Sequence, residues 1–380
     1  MINIGITGQT GFIGTHLYNT LGIYPATFKR IPFEDNFFEN ELKLNEFVSQ
    51  CDVIIHLAAL NRHNDPGIIY ETNLRLVKLL IKACETTNSK PHIIFSSSTQ
   101  EQLDNPYGRS KKEGRRLFEE WAEKNGASFT GLIIPNVFGP FGNPYYNSVV
   151  ATFCHQLTHD EKPVIETDSQ LKLIYVAELI DQAIKIIKEA VNEENKGNFI
   201  VQQVKLQHTS ELKVSQLLKL LENYKENYFF SGEIPALDTP FKRNLFNTFV
   251  CYIDHDRFFP FFLKLNRDDR GSFVETMKLN SGGQVSFSTT KPGVTRGNHF
   301  HTRKFERFAV IKGKARIKLR RIGTDKVMIF DLDGTKPSFV DMPIWHTHNI
   351  TNIGNEELYT IFWINEHFNP EDSDTWFEEV

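Results

Sequence analysis

The stretch Ile2-Asn3-Ile4-Gly5-Ile6-Thr7-Gly8-Gln9-Thr10-Gly11-Phe12-Ile13-Gly14 opens the chain and decides its predicted fold. Its first half predicts a buried strand, and the residues that follow it predict a helix. Glycines between a strand and a helix let the backbone approach a pyrophosphate, whose charge then meets the helix N-terminus. We therefore expect a dinucleotide-binding α/β domain with a doubly wound parallel sheet. The expected cofactor-binding residues of this turn are Gly8, Gly11, Phe12, Ile13 and Gly14.

A tyrosine and a lysine four residues apart form the second motif, Tyr107-Gly108-Arg109-Ser110-Lys111, which follows the strand-like run Ile93-Ile94-Phe95-Ser96-Ser97-Ser98. On a helix the two side chains lie one above the other, so the ammonium favours the ionised phenol. A phenol with a free pKa near ~10 needs this help to exchange protons at neutral pH. We expect Tyr107 as proton donor, Lys111 as the group that lowers its pKa, and one of the three serines, Ser98, as a hydrogen-bond partner of the same substrate oxygen. The alternative is a Tyr and a Lys on an exposed helix.

A third motif has the spacing Gly293-x5-His299-x-His301-x4-Glu306-x6-Gly313. Strand side chains alternate between faces, so His299 and His301 project from one side and Glu306 begins the returning strand. His348, about forty residues further along the chain, is the expected fourth ligand. Three imidazoles and a carboxylate suit zinc, and also iron, manganese or nickel. The alternative is a β-hairpin that carries surface histidines.

The glycine turn and the Tyr107/Lys111 pair resemble the motifs of extended short-chain dehydrogenase/reductases. In that family the tyrosine protonates a carbonyl oxygen while hydride arrives from a nicotinamide, and the lysine also binds the cofactor ribose. Asp52–Ala59 resembles the family's third strand with the turn beside the adenine ribose, and Pro135–Pro140 resembles the segment where nicotinamide and sugar meet. The residues that this resemblance adds are Leu57, Ala58 and Pro135 for the cofactor and Asn136 for the substrate.

The His/Glu stretch resembles the first cupin motif in every fixed position, which implies an all-β jelly-roll barrel. The second cupin motif departs from the family pattern, because Trp345 stands where the family usually has Gly. His346, two residues before His348, either faces the same cavity or is a structural histidine.

A reductase followed by a metal-type cupin resembles, nearly end to end, the CapF-type family of bifunctional capsular-polysaccharide enzymes; Pro144–Val149 and Asp268–Phe273 are among the similar segments. The family implies that UDP-2-acetamido-2,6-dideoxy-L-arabino-hexos-4-ulose is epimerised at C3 in the zinc cupin. NADPH then reduces C4 to give UDP-2-acetamido-2,6-dideoxy-L-talose, the precursor of UDP-N-acetyl-L-fucosamine. Asn147 and Arg270 are further expected substrate contacts, although Arg270 in a surface ion pair is the alternative. A homodimer through the cupin is also expected.

The two expected steps have a chemical order. C3 lies next to the C4 ketone, so its proton is acidic only before C4 is reduced. A zinc ion on the four ligands can act as Lewis acid for its removal. A base and a reprotonating acid are needed as well, and His346, Tyr359 and Glu366 are candidates that the sequence leaves unranked.

The end of the second predicted strand decides between the two nicotinamide cofactors. A carboxylate there binds a ribose 2′-hydroxyl, whereas a cation binds a 2′-phosphate. The chain has Phe28-Lys29-Arg30 at this place, so Lys29 and Arg30 predict NADPH rather than NADH. Ordinary solvated surface cations are the alternative.

Length and charge limit the class of protein. At 380 residues the chain exceeds the usual single-core range, and we expect a reductase domain at 1–243, a linker at 244–255 and a cupin domain at 256–380. A formal net charge of −4 without a long basic block argues against a nucleic-acid partner. No long apolar run is evident, which argues against a membrane span or a signal peptide. Four cysteines without CxxC spacing are typical of free thiols in a reducing cytoplasm.

Periodicity predicts how the elements are distributed along the chain. Strand and helix signals alternate to about residue 225, and short β-rich runs from about residue 246 predict an antiparallel barrel or sandwich. The expected helices are Glu71–Thr86, Pro106–Lys124, Tyr175–Ala190 and Ser210–Glu226, and the clearest expected β-rich runs are Gln284–Thr290, Ala315–Arg320 and Leu358–Ile364.

Two other functions stay open. In the first, the cupin is a structural, dimerising module and the chain is a single-function UDP-sugar 4-ketoreductase. In the second, the first domain binds NADP as a redox sensor. The Tyr107/Lys111 pair argues against a sensor, because a sensor needs no proton donor beside the nicotinamide.

Overall fold

The computed structural model describes residues 1–191 and 199–380, which form two compact units that alternate along the chain. The first unit comprises Met1–Phe138, Gly142–Val149 and Gln170–Leu212, and the second comprises Gly139–Phe141, Val150–Ser169 and Lys213–Val380. In the described ranges no helix combines the length and the apolar character that crossing a bilayer requires.

The first unit is built on parallel strands. Its strands are β1 (Ile2–Thr7), β2 (Phe28–Ile31), β3 (Val53–His56), β4 (His92–Ser98), β5 (Phe129–Ile134), β6 (Asn136–Phe138), β7 (Gln170–Tyr175), β8 (Val201–Lys205) and β9 (Ser210–Lys213). The main sheet has the order β2-β1-β3-β4-β5-β8, with every neighbouring pair parallel. The chain changes direction across the sheet at β1, and a crevice forms at the carboxyl ends of the strands at such a point. The doubly wound parallel sheet predicted from the sequence is confirmed.

Helices occur in both units. They are α1 (Phe12–Ile23), α2 (Glu41–Gln50), α3 (Pro66–Thr87), α4 (Pro106–Asn125), α5 (Val149–Thr158), α6 (Val176–Ala190), α7 (Val214–Tyr224), α8 (Pro240–Val250) and α9 (His255–Phe258). The start of α4 is well defined, because the side chain of Asn105 accepts a hydrogen bond from Gly108 N and proline occupies the first turn. One apolar core joins the sheet to α2, α3 and α4, with Val48, Leu80 and Phe118 among its buried members.

The second unit contains two five-stranded antiparallel sheets and one separate antiparallel pair of strands. Its strands are β10 (Phe261–Phe262), β11 (Leu265–Asp268), β12 (Gly271–Val274), β13 (Gln284–Thr290), β14 (Thr295–Phe300), β15 (Glu306–Lys312), β16 (Lys314–Arg321), β17 (Val327–Asp333), β18 (Ser338–Met342), β19 (His346–Asn352), β20 (Leu358–Ile364) and β21 (Trp376–Phe377). One sheet has the order β10-β18-β15-β20-β13 and the other β17-β16-β19-β14-β21. Ala309 and Phe339 of the first sheet share a buried core with Ile317, Phe330 and Ile350 of the second.

Two segments differ from the predicted elements. Ser210–Lys213 is a strand, so the helix predicted from residue 210 begins at Val214. Helical structure continues through α8 and α9 beyond residue 246, where β structure was expected, because Leu245, Phe246 and Phe249 are buried at helical spacing. The predicted linker 244–255 therefore contains most of α8, and the predicted domain boundaries stay a prediction.

Candidate functional site

A cavity of about 780 Å³ lies at the carboxyl ends of β1, β3, β4 and β5. Predicted residues that line it are Gly8, Gly11, Phe12, Ile13, Gly14, Leu57, Ser98, Tyr107, Lys111, Pro135, Asn136 and Asn147. Ala58 lies between two lining residues, and its backbone N approaches Thr7 Oγ1 at 3.4 Å. The prediction assigned no role to several other lining residues, namely Asn61, Ile69, Gln100, Asn105, Gly142, Asn143, Tyr146 and Ser148. Ile69 lies on α3 and Gln100 in a short 3-10 helix. The others come from loops that have no periodic pattern, although Tyr146 and Ser148 lie inside a segment quoted for its family resemblance.

The glycine turn has the close packing that a pyrophosphate cradle requires. A Cβ atom at Gly14 would lie 2.2 Å from the carbonyl oxygen of Gly8, so a larger residue at position 14 would push the turn apart. Gly11 precedes the first residue of α1 and brings no side chain to the helix N-terminus. The first amides of α1 can therefore meet an anion, which fits the diphosphate of a dinucleotide.

Tyr107 and Lys111 lie together on α4. A Cβ atom at Gly108 would lie 2.1 Å from the carbonyl oxygen of Gln100, so glycine at this position lets α4 approach the turn after β4. The Lys111 ammonium lies 5.6 Å from the centre of the Tyr107 ring and 3.4 Å from Ser96 Oγ. Lys111 is only 3% exposed, and burial lowers its pKa to about 7, against the opposing charge of Glu101.

The pKa of Tyr107 departs from the expectation. Burial, with a smaller contribution from Tyr146, raises it to about 12, whereas the sequence predicted that Lys111 lowers it. The physical reason is that burial opposes the phenolate, while Lys111, with a pKa near neutrality, carries only part of its positive charge at pH 7. Tyr107 is therefore held in its protonated form, the form a proton donor needs.

The three serines at the end of β4 have different partners. Ser96 Oγ donates to the carbonyl of His56 at 3.1 Å, and the Ser97 hydroxyl donates to Glu101. Ser98 Oγ accepts from the backbone N of Gln100 at 3.1 Å, so its proton can be donated toward the cavity. This distribution favours Ser98 as the serine that meets a ligand.

Lys29 and Arg30, the two cations expected at the cofactor ribose, are not among the residues that line the cavity. The guanidinium of Arg30 lies 4.1 Å from the centre of the Tyr18 ring and donates to the Tyr18 carbonyl at 3.0 Å. Lys29 is exposed on β2. The Arg30 guanidinium lies against α1, because α1 packs on that face of β2, and its contact with the nucleotide stays a prediction.

Four potential metal ligands converge in the second unit. His299 lies on β14, His301 follows its end, Glu306 begins β15 and His348 lies on β19. Their candidate ligand atoms all lie within 4.8 Å of one another. Nε2 of His301 and of His348 each lie 3.1 Å from Glu306 Oε2, and Nε2 of His299 lies 4.0 Å from it. The structure thus brings together the predicted set.

A β-bulge aligns two of these ligands. Gly297 on β14 pairs with Asn349, and His299 pairs with the next residue, His348, so Asn298 is an extra residue on β14. Asn298 has a φ of 59°, and its side-chain oxygen accepts from Asn349 at 2.8 Å. The bulge turns His299 to face His348 across the pair of strands.

The charges in this group suit a cation. Burial alone would raise the pKa of Glu306, but contacts with His301 and His348 lower it well below its usual range. Burial, reinforced by His348, lowers the pKa of His299 to about 4. Among the described residues, Nε2 of His301, Nε2 of His348 and Oε2 of Glu306 are buried without a hydrogen-bond partner. Three converging buried atoms of this kind are costly alone, so a metal such as Zn²⁺ fits them.

Asp374 supports the candidate metal ligands, a role that the sequence did not predict. Its backbone carbonyl accepts from Nδ1 of His301, which leaves Nε2 of His301 as the ligand atom. Its carboxylate accepts from the backbone N of Arg303 at 2.9 Å and from the hydroxyl of Thr302 at 2.7 Å. The turn between β14 and β15 is thereby held in place. No spacing rule links residue 374 to this turn.

The candidate acid and base residues are not among the four ligands. His346 is buried, donates from Nδ1 to the Ile344 carbonyl at 3.0 Å, and has its ring 5.6 Å from that of His255. Glu366 accepts from Arg303 Nε at 3.1 Å. Tyr359 precedes Ile364, the partner of Glu306, by five residues on β20, roughly 16 Å of strand. None of these three belongs to the four-ligand group in the described chain.

Arg270 has the surface ion pair that was the alternative to phosphate binding. It lies in the turn between β11 and β12, its side chain is 91% exposed, and Nη2 lies 2.6 Å from Asp268 Oδ2. The structure therefore places it in a local surface contact.

The structure shows how tryptophan is accommodated at position 345, where the cupin pattern usually has glycine. It has a φ of 60°, and its backbone N donates to the His301 carbonyl at 2.7 Å. Glycine adopts this conformation without cost, whereas another residue loses roughly 1–2 kcal/mol. Stacking of Trp345 on Phe300, with ring centres 5.7 Å apart, opposes that cost.

Comparison with known proteins assigns families to both parts of the chain. Residues 4–201 match the NAD dependent epimerase/dehydratase family, and residues 266–376 match the polysaccharide biosynthesis C-terminal domain. A relative in Pseudomonas aeruginosa, UDP-2-acetamido-2,6-beta-L-arabino-hexul-4-ose reductase, is 33% identical over 377 residues, which are 98% of this chain and 97% of the relative.

Solved structures are similar to the whole chain or to part of it. The capsular polysaccharide assembling protein CapF from Staphylococcus aureus matches with a TM-score of 0.61 and 33% identity, and all of both chains is covered. A UDP-glucose 4-epimerase from Thermotoga maritima matches with a TM-score of 0.51 and 21% identity, covers 59% of this chain and 83% of its own, and shows the fold alone. The chain therefore belongs to the NAD dependent epimerase/dehydratase family, in the CapF-type form that continues into a polysaccharide biosynthesis C-terminal domain.

Proposed function

We propose that this chain is a bifunctional nucleotide-sugar enzyme. Its substrate is UDP-2-acetamido-2,6-dideoxy-L-arabino-hexos-4-ulose, which is epimerised at C3 in the metal centre and then reduced at C4 to UDP-2-acetamido-2,6-dideoxy-L-talose. That product is the precursor of UDP-N-acetyl-L-fucosamine for capsule or O-antigen polysaccharide. The observation that carries the proposal is the full-length similarity to the P. aeruginosa reductase, whose name specifies this class of keto sugar.

The reductase cavity supports the second step. The cofactor supplies the hydride, and the glycine turn with the N-terminus of α1 is suited to its diphosphate. Tyr107 gives its phenol proton to the C4 oxygen, and Ser98 donates a hydrogen bond to that oxygen. The ammonium of Lys111 then stabilises the phenolate left on Tyr107. Asn136 and Asn147 line the cavity and are proposed substrate contacts.

The β domain is proposed to be a cupin. The eight strands β13 to β20 divide between the sheets as β18-β15-β20-β13 and β17-β16-β19-β14, the interleaved order of a jelly roll. His299, His301, Glu306 and His348 would hold Zn²⁺ or another divalent metal. When bound, the metal supplies positive charge that makes a proton beside a ketone easier to remove. A homodimer through this domain stays a prediction, which light scattering tests.

NADPH is proposed as the cofactor rather than NADH. Lys29 and Arg30 on β2 favour NADPH by their charge. The contact of Arg30 with Tyr18 weakens this support. Comparing the turnover of the enzyme with NADPH and with NADH tests this preference. Equal turnover with the two cofactors would contradict it.

A single-function reductase is the second candidate, and the name of the P. aeruginosa relative, which mentions reduction alone, favours it. Proton NMR in D2O with the UDP-4-keto sugar separates the two functions. Deuterium at C3 without NADPH, lost in His299→Ala, supports an epimerase that feeds the reductase. If the wild type and His299→Ala both consume NADPH and neither exchanges the proton at C3, the result supports a reductase with a structural cupin.

A further inference from the structure

The turn after β4 contains a carboxylate that the proposed mechanism does not use. Glu101 lies in a short 3-10 helix, Thr99–Gln102, and its side chain is only 9% exposed. It accepts a hydrogen bond from the hydroxyl of Ser97, the neighbour of Ser98. The same turn is capped by Ser98, whose Oγ accepts from Gln100 N. Glu101 thus ties Ser97, the residue before Ser98, to the short helix that follows Ser98.

Arg115 on α4 holds Glu101 from the other side. Its Nε lies 3.0 Å from Glu101 Oε1 and its Nη2 lies 2.9 Å from Oε2, which is a two-bond contact. Its Nη1 donates to Glu119 at 2.9 Å. The side chain also packs closely on β5, because a Cβ atom at Gly131 would lie 2.7 Å from Arg115 Cδ. The guanidinium therefore has little freedom, and it holds Glu101 between β4 and α4.

The charges of this network act on Lys111, one helical turn before Arg115. Two carboxylates around one guanidinium leave a net negative charge in a largely buried place. The other groups near Lys111 are His56 from β3, which is neutral because burial lowers its pKa to about 3, and the protonated Tyr107 on its own helix. The carboxylate of Glu101 favours the ammonium form of Lys111, whereas burial opposes it.

We propose that Glu101 is a positioning residue of the reductase site, which fixes the turn that carries Ser98 and favours the positively charged form of Lys111. The inference rests on the proposed function, since it assumes that the ammonium of Lys111 assists Tyr107. A carboxylate with a structural role alone would hold the turn without setting the pH at which the enzyme loses activity.

The test is the dependence of kcat/KM on pH, measured with NADPH and the UDP-4-keto sugar. In the wild type we expect a fall in activity above about pH 7, as Lys111 loses its proton. Glu101→Gln should move this fall to lower pH by about 1 unit, because a nearby opposite charge is lost. Glu101→Asp keeps the charge and should leave the fall near its wild-type pH. Glu113→Gln is the matched control, because it removes a carboxylate of α4 that pairs with Arg116 at the surface.

A further variant gives a test that does not depend on the folding of Glu101→Gln. Arg115→Gln leaves both carboxylates without their cation, so the fall in activity should move to higher pH. A Glu101→Gln profile that coincides with the wild type, equal shifts in Glu101→Asp and Glu101→Gln, or a downward shift in Arg115→Gln would each overturn the inference. If Tyr107→Phe reduces the sugar at the wild-type rate, the proposed function itself fails. If Tyr107→Phe is inactive while Glu101→Gln has an unmoved profile, the inference alone fails.

Discussion

The backbone carbonyl of Asp374 accepts a hydrogen bond from Nδ1 of His301, 2.5 Å away and 73 residues earlier in the chain. Because Nδ1 carries the proton, the lone pair of His301 Nε2 is available to a metal between it and Glu306, whose Oε2 lies 3.1 Å away. The Asp374 carboxylate also binds the turn that follows His301. One residue therefore orients a ligand through its main chain and holds the neighbouring turn through its side chain.

Asp374→Ala removes the carboxylate that holds the turn after His301 and keeps the main-chain carbonyl that orients the imidazole, so it should weaken Zn²⁺ binding by about 10-fold, the lower end of the usual effect of losing outer support of metal ligands. Competition with a chromogenic chelator measures this without any catalytic assay. Asp372→Ala is the control, because Asp372 contacts Arg303 at the surface and not the ligands. Wild-type affinity in both variants would show that the Asp374 side chain does not support the site.

Tyr107→Phe should lower the rate of keto-sugar reduction by about 10²- to 10⁴-fold, because the phenol is the proposed proton donor. Binding of NADPH, followed by its fluorescence, should stay near the wild-type affinity, since the ring is kept. Tyr70→Phe on α3 serves as control for the loss of a hydroxyl outside the cavity. Reduction at the wild-type rate by Tyr107→Phe would remove Tyr107 from the mechanism.

A fully buried ion pair should contribute far more to stability than an exposed pair of the same geometry. Arg307 and Asp341 make two bonds, at 2.7 and 2.8 Å, and both residues have no exposed surface. Asp341→Asn should lower the free energy of unfolding by about 3–5 kcal/mol, because it leaves a buried guanidinium without its counter-charge. Denaturant titration measures the loss.

The matched control is Asp331→Asn. Arg316 and Asp331 have the same two-bond contact, at 2.7 and 2.8 Å, but are exposed to solvent. This change should cost less than about 1 kcal/mol. Equal losses in the two variants would show that burial does not set the value of these pairs.

Stability should fall as the pH is lowered from 7 to 5. Burial lowers the pKa of His92 to about 4, and burial with the charge of Lys111 lowers the pKa of His56 to about 3. A histidine in the unfolded chain takes up its proton near pH 6.5, so in this window the unfolded state binds more protons. Each histidine should cost roughly 2 kcal/mol of stability at pH 5.

His92→Gln should therefore show a smaller difference in melting temperature between pH 7 and pH 5 than the wild type. His63→Gln removes an exposed histidine and should keep the wild-type difference. If the two variants respond to pH alike, the buried imidazole is not the cause.

Features with a regular period could be predicted from the sequence, and features decided by packing between distant segments could not. The strands Gln284–Thr290 and Leu358–Ile364 have the predicted bounds, and the four metal ligands come together as predicted. The direction of Arg30 depends on how α1 packs on β2, which its neighbours in sequence do not show. The pKa of Tyr107 depends on burial within the folded chain.

Asp374 and α8 are two further features that depend on packing and that the sequence alone did not predict. Asp374 reaches the ligands from a segment without a repeating pattern, so no motif marks it. The residues Leu245, Phe246 and Phe249 resemble a β-rich run by composition, and only their shared burial on one side of a helix distinguishes them.

The metal ligands come from both sheets, with His299 and His348 on one and Glu306 on the other. During synthesis the ribosome makes His299, His301 and Glu306 well before His348, and Asp374 later still. A nascent chain that ends between residues 306 and 348 offers three of the ligands on β14, β15 and the turn between them, before β19, the partner strand of β14, exists. The complete four-ligand set therefore exists only when both sheets are closed, so the proposed metal would meet its whole site only at the end of the folding of the β unit.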